Sequence, residues 1–235
     1  MVISDPISFY EKNGYYVFPD CLTPGECREY LEEAERLAGQ QSSKYSPLIN
    51  PDRLTPVFRR LLAWPSVVKR LEEIQGRLID GLQSMLYFKP PGSLGRDLHQ
   101  DNHYAKAEYG AYLGTWVPLE DTDRENGGLI VYPESHKEPL LDILFDEERI
   151  KTNAGDFKND RGTSCKVPPG YEKIYLTVPA GSCVVIHGHL VHGSEENLSP
   201  TRFRRVFAGH YINQGQAFIS GKHAKRTAID LHAHD

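Results

Sequence analysis

Apolar residues in the first third of the chain recur at helical spacing. Thr23-Pro24-Gly25-Glu26 reads as a capping box with proline at the first helical position, and Leu31 and Leu37 follow among charges as far as Gly39. A second helical stretch, interrupted at Pro65, carries Leu61, Leu62, Val67, Val68, Leu71 and Ile74 and stops at Gly76. From Leu82 the period changes to short apolar or alternating runs between clusters of Gly, Pro, Asn and Asp, which is the signature of strands. Helices first and strands after predict an α+β fold, mainly β, in which N-terminal helices brace one side of a β-sandwich or barrel. On this reading residues 1–80 are helical support, 81–213 the β core, and 214–235 a polar tail. Disorder is the default for such a tail, which includes His232 and His234.

The pattern lapses over about 137–170. An apolar-acidic stretch from Leu140 to Ile150 gives way to Asn, Asp, Gly and Lys up to Pro168-Pro169-Gly170. Loops of this length in a compact domain are usually functional or unstructured. Two readings stand side by side: a lid that keeps water from a reactive centre, and a surface excursion with one short helix at Asp146-Glu147-Glu148-Arg149.

Composition narrows the class without choosing within it. A chain of 235 residues buries one sizeable core, and nothing demands a second domain. A net charge of −5 gives no reason to expect nucleic acid or an acidic membrane surface as partner, and leaves monomer and homodimer equally open. Cys21, Cys27, Cys165 and Cys183 form neither a zinc pattern nor a disulfide framework, and Cys183 sits in an apolar run as a small buried hydrophobe. Met1-Val2-Ile3-Ser4-Asp5 lacks the basic start and apolar core of a signal peptide, and no run approaches membrane-spanning length. We expect a reduced, soluble, cytoplasmic protein.

The chemistry concentrates at His99 and Asp101, answered about ninety residues later by His192. Two imidazoles and a carboxylate can hold one face of an octahedral metal and leave the other positions open, a ligand set that selects non-haem Fe(II). On a strand, residues two apart share a side, so His99 and Asp101 can grip one ion while Gln100 faces away. His187 and His189 lie within five residues of His192 and compete with it for the second imidazole position. Backbone hydrogen bonding is the simpler reading for both, and His210 reads as a hydrogen-bonded core residue.

The surrounding motifs are more specific. Met85-Leu86-Tyr87-Phe88-Lys89-Pro90-Pro91-Gly92-Ser93, Leu98-His99-Gln100-Asp101-Asn102-His103-Tyr104, Trp116-Val117-Pro118-Leu119-Glu120 and Asn126-Gly127-Gly128-Leu129 run in order. Val131-Tyr132-Pro133-Glu134-Ser135-His136-Lys137, Ala180-Gly181-Ser182-Cys183-Val184-Val185-Ile186-His187, His192-Gly193-Ser194, Arg204-Arg205 and His210-Tyr211-Ile212 continue them. In these motifs the chain resembles the phytanoyl-CoA dioxygenase family of Fe(II)/2-oxoglutarate oxygenases, closely from Met85 to Ile212 and loosely in the N-terminal third.

The resemblance implies a double-stranded β-helix, the cupin-like jelly roll, with iron at its mouth. It favours His192 over its neighbours, because the family's distal ligand precedes a Gly-Ser pair. It implies Fe(II), 2-oxoglutarate as co-substrate and O2, acting on a small-molecule substrate. The far carboxylate of 2-oxoglutarate needs a fixed cation, for which a planar guanidinium is suited. The family's arginine falls on Arg204 when counted back from His210-Tyr211, while counting forward from His192 leaves Arg202 as a rival. Ser194, Trp116 and Met85 match positions that line the co-substrate. A family lysine from the helical region has no evident match near Ser43-Lys44-Tyr45.

Gln83, Tyr87, Gln100, Asn102, His103 and Tyr104 are candidates to touch substrate. The implied reaction couples decarboxylation of 2-oxoglutarate to succinate and CO2 with oxidation of an unactivated C–H bond, by hydroxylation, ring closure or desaturation. Asp101 argues against halogenation. A cupin-like metal enzyme without redox chemistry and an inactive binding module are the competing classes. An acidic chain with no basic cluster favours a free metabolite or natural-product intermediate over an acyl-CoA.

Overall fold

The computed structural model describes residues 5–42, 45–145 and 163–232. Helices α1 (Pro6–Asn13), α2 (Pro24–Ala38), α3 (Pro56–Leu62) and α4 (Pro65–Gln75) occupy the N-terminal part, and a short α5 (Asn102–Ala105) follows in the β region. The strands are β1 (Tyr15–Phe18), β2 (Leu48–Ile49), β3 (Ile79–Lys89), β4 (Arg96–His99), β5 (Tyr112–Pro118), β6 (Leu129–Val131) and β7 (Ile143–Phe145). They continue with β8 (Thr163–Cys165), β9 (Ile174–Tyr175), β10 (Cys183–His187), β11 (His192–Ser194), β12 (Arg204–Asn213) and β13 (Ile229–Asp230).

Helix ends fall where the sequence signals place them. Thr23 Oγ1 accepts from Glu26 N at 3.2 Å while Glu26 Oε2 accepts from Thr23 N at 2.7 Å, the reciprocal bonds of a capping box. Pro65 starts α4 just after α3 has closed, and Gly76 ends α4 at φ 64°, a left-handed conformation that glycine adopts without a Cβ clash. Cys27, Tyr30, Ala34, Leu37 and Ala38 form the buried stripe of α2.

Two antiparallel sheets make the core. The larger runs β1-β10-β5-β12-β3-β13, with β2 also on β3, and the smaller runs β4-β11-β6-β9. Following the chain through β3, β4, β5, β6, β9, β10, β11 and β12, the strands are divided four and four between the sheets, which is the double-stranded β-helix arrangement. The period-2 alternation of each long strand feeds two cores at once. Cys183 and Val185 of β10 and Phe207 of β12 point to the helices, where Phe207 stacks on Phe58 of α3 at 5.7 Å and 8°. Val184, Ile186, Trp116 and Val206 point between the sheets against Leu129 and Val131.

Two expectations need correction. The N-terminal third is not wholly helical, since β1 pairs with the edge of β10, Tyr15 opposite Ile186. Its bulky, partly buried residues form a strand because a sheet edge is available to receive them. The tail is not disordered as far as it is described: β13 pairs with β3, and His232 Nε2 lies 2.6 Å from Glu72 Oε1. Arg205 bridges Glu120 and Glu35 at 2.6 Å each and ties the large sheet to α2. The irregular stretch 137–170 is rooted by β7 and β8, which pair with each other. The helix expected at 146–149 lies outside the described residues. Among the described residues no helix is long and apolar enough to cross a membrane.

Candidate metal centre

His99 and His192 are direct cross-strand partners on β4 and β11, so the small sheet alone brings together two side chains distant in sequence. Their rings lie 4.3 Å apart, centroid to centroid. Gly193 permits the close approach of these strands: a Cβ there would come within 2.8 Å of the Arg96 carbonyl. Asp101 lies just beyond the end of β4, at φ −60° and ψ −38°, on the turn that opens α5. It is this turn, not strand alternation, that returns its carboxylate to the His99 side. Gln100 does face away, donating to the His189 carbonyl at 2.8 Å and accepting from Leu141 N at 2.7 Å.

Asp101 Oδ1 lies 3.4 Å from His99 Nε2 and its Oδ2 3.7 Å from His192 Nε2. All three ligand atoms fall within 4.8 Å of one another. Adjacent ligands on an octahedral ion with bonds of ~2.1 Å sit about 3 Å apart, so the cluster needs to close by only a few tenths of an ångström for its nearer pairs. Each imidazole is turned for ligation by a backbone carbonyl. His99 Nδ1 donates to Asp97 O at 2.8 Å and His192 Nδ1 to Leu190 O at 3.0 Å, which leaves both Nε2 lone pairs facing the carboxylate. Burial, helped by the positive charge of Arg96, pushes His99 down to about 4, so it is neutral at neutral pH, the form that could ligate a metal. Burial alone would raise Asp101, but His192 first, then His99 and His210, hold its carboxyl well below the usual range.

Behind the triad lies an inner cavity lined in part by Tyr87, Lys89, Trp116, Ser194, Arg204 and His210. Its far end is cationic. Arg204 is 3 % exposed, its Nη2 sits 3.4 Å from Ser194 Oγ, and its guanidinium carbon lies 5.9 Å from the Trp116 ring. Its Nε meets no acceptor, and among the described residues no carboxylate pairs with it. Burial pushes this guanidinium down to about 10. Arg202 points elsewhere: its side chain is 37 % exposed and it is held by Asp123 at 2.8 Å and Glu125 at 2.5 Å. Lys89, which sequence reading passed over, is buried on the same wall with Nζ donating to Leu94 O at 3.1 Å.

The triad also faces an outer groove. Gln83, Met85, Tyr87 and Tyr104 line it, together with Ile49 and with Gly221, Lys222, His223, Ala224 and Arg226 of the tail. Met85 therefore stands on the groove rather than beside Arg204, with its sulfur 3.1 Å from Tyr87 Oη. Asn102 is turned inward, bonded to Ala107 and His189. His103 lines a separate small pocket under β7 and β8. His187 and His189 are packed against Tyr109 and His136 and take no part in the triad. His210 lines both cavities, with Tyr112 Oη 2.8 Å from its Nδ1.

The family model for phytanoyl-CoA dioxygenase matches residues 10–206. The chain belongs to the phytanoyl-CoA dioxygenase family. Its members are non-haem iron, 2-oxoglutarate-dependent dioxygenases, so the family uses Fe(II), 2-oxoglutarate and O2. Over 240 residues the chain is 27 % identical to the peroxisomal phytanoyl-CoA dioxygenase of Rattus norvegicus, covering 91 % of this chain and 69 % of that one. It is 34 % identical over 164 residues to phytanoyl-CoA dioxygenase 1 of Oryza sativa subsp. japonica, covering 68 % of this chain and about half, 54 %, of the rice protein. The fold is shared with the epimerase SnoN, solved in complex with Fe3+, alpha ketoglutarate and nogalamycin RO. The TM-score is 0.75 at 23 % identity, covering 91 % of this chain and 84 % of SnoN.

Proposed function

We propose that this family member binds Fe(II) through His99, Asp101 and His192 and 2-oxoglutarate in the inner cavity, and that it oxidises a small metabolite or natural-product intermediate in the outer groove. The observation that carries this reading is Arg204. A guanidinium buried at the end of a cavity without a carboxylate partner is costly unless a ligand supplies the negative charge. The triad sits at the other end of the same cavity, so a dicarboxylate is the matching ligand.

Bound iron would chelate the keto acid end of 2-oxoglutarate and supply the oxidising power for C–H cleavage. Arg204 and Ser194 hold the distal carboxylate, and Trp116 forms the apolar wall beside it. The carbonyls of Asp97 and Leu190 fix the ring orientation of both histidines, so the ligands are set before the metal arrives. Met85, Gln83, Tyr87 and Tyr104 position the substrate over the triad. The chain works as one catalytic domain, and hydroxylation is the outcome we assign.

The test is succinate formation from 2-oxoglutarate by the purified chain with Fe(II) and O2. We expect slow, iron-dependent succinate release in the wild type and none in Asp101→Ala. Full activity in Asp101→Ala, or succinate formation independent of iron, rules the assignment out.

A further inference from the structure

The outer groove holds a second buried guanidinium. Arg226 is 8 % exposed, and its Nη1 donates to the carbonyls of Tyr104 at 3.2 Å and Ile219 at 3.4 Å. Its Nε meets no acceptor, and among the described residues no carboxylate pairs with it. Lys222 and His223 stand exposed on the same wall, so the chain does carry a basic cluster at the groove, contrary to the expectation drawn from its acidic balance. The chain carries 32 acidic against 27 basic residues, yet among the described residues the only carboxylate lining this groove is Asp101, which belongs to the triad. A buried charge without a counter-ion is costly, and a site that tolerates one is poised for a ligand of opposite sign.

The wall is built to stay in place. Asn50 Nδ2 donates to Ala224 O at 2.9 Å, and Arg53 Nη2 reaches Lys225 O at 3.0 Å and Thr227 Oγ1 at 3.1 Å. The cation is thus held by side chains from the far end of the sequence before any ligand binds, which lowers the ordering cost of recognition. We propose that Arg226, with Lys222 and His223 at the rim, binds an anionic group of the substrate, a carboxylate or a phosphate, while Ile49 and Met85 receive its apolar body. This rests on the inner cavity being the 2-oxoglutarate site, which leaves the outer groove to the substrate.

The test uses the full chain with Fe(II) and saturating 2-oxoglutarate, without oxygen, titrated with 3-phenylpropionate, phenyl phosphate and the neutral 3-phenylpropionamide. Binding is read from broadening of the probe's proton signals. We expect at least one of the two anions to bind ten-fold or more tightly than the amide, and the tighter one names the group. Lys222→Gln should weaken that anion three-fold or more and Arg226→Gln ten-fold or more, with 2-oxoglutarate affinity unchanged. Should Arg226→Gln fail to fold, the exposed Lys222→Gln variant decides alone. Equal binding of all three probes, an unchanged anion affinity in Lys222→Gln, or displacement of the anion by 2-oxoglutarate would each overturn the proposal. The visible band of the Fe(II)–2-oxoglutarate chelate, recorded in the same samples, reports on the inner site separately. Its absence counts against the triad and Arg204, while the preference for anion over amide still decides the groove.

Discussion

Alternation along β12 separates arginines that look interchangeable in sequence. Arg204 points between the sheets toward Ser194 and Trp116, Arg205 points to the helices, and Arg202 lies before the strand on a surface pair. Spacing could not choose between Arg204 and Arg202, because counting back from His210-Tyr211 and forward from His192 did not agree. Their environments differ, since one is ion-paired at the surface and the other is buried without a counter-charge among the described residues, which is why we propose Arg204. We therefore expect Arg204→Met to weaken 2-oxoglutarate binding by about 2–4 kcal/mol, roughly 30- to 1,000-fold in Kd. Arg202→Met, which loses only a surface pair, should leave it unchanged within about 1 kcal/mol. Calorimetric titration of both variants checks the pair; equal losses would mean that Arg202 contributes to the site. The meeting of His99 and His192 was legible from residue type and order, whereas the burial of Lys89 and Arg226 was not, because no local motif marks a lysine or arginine that folding later buries.

At the scale of elements, capping and breaker residues carried the reading. Thr23, Pro65 and Gly76 mark helix ends through local backbone chemistry, which needs no tertiary information. Tyr15–Phe18 and the tail escaped because their structure depends on a partner strand contributed from far along the chain. The N-terminal helices reach the site through β12: Phe58 of α3 lies flat on Phe207 of the strand that also carries Arg204 and His210. Phe207→Ala should cost about 3–5 kcal/mol of stability, read from the urea midpoint. A loss under about 1 kcal/mol would show that the helical layer does not brace this strand.

At the scale of the whole molecule, a cluster of buried histidines couples stability to pH. His187, packed among Tyr10, Tyr109, His136 and His189, is pushed down to about 3, chiefly by burial and then by its histidine neighbours. His136 and His189 are lowered for the same first reason. The unfolded chain, with ordinary histidines near 6.5, binds more protons than the folded one between that value and about 3, so stability is fullest above pH 6.5 and falls as pH drops through this window. Thermal midpoints from pH 8 to 4 should decline below 6.5, and His187→Gln should flatten the decline. An unchanged slope in that variant would remove the buried cluster as its cause.

Burial leaves His99 neutral, and the neighbouring histidines, His192 first, keep Asp101 charged against its own burial, which is the protonation state that a metal requires. The most direct measurement is an anaerobic titration of the purified chain with Fe(II) and then 2-oxoglutarate, following the weak visible charge-transfer band of the chelate. The account predicts a saturable band in the wild type that is absent in His99→Ala and His192→Ala. Iron binding without a band, or a band that survives loss of either histidine, would contradict it.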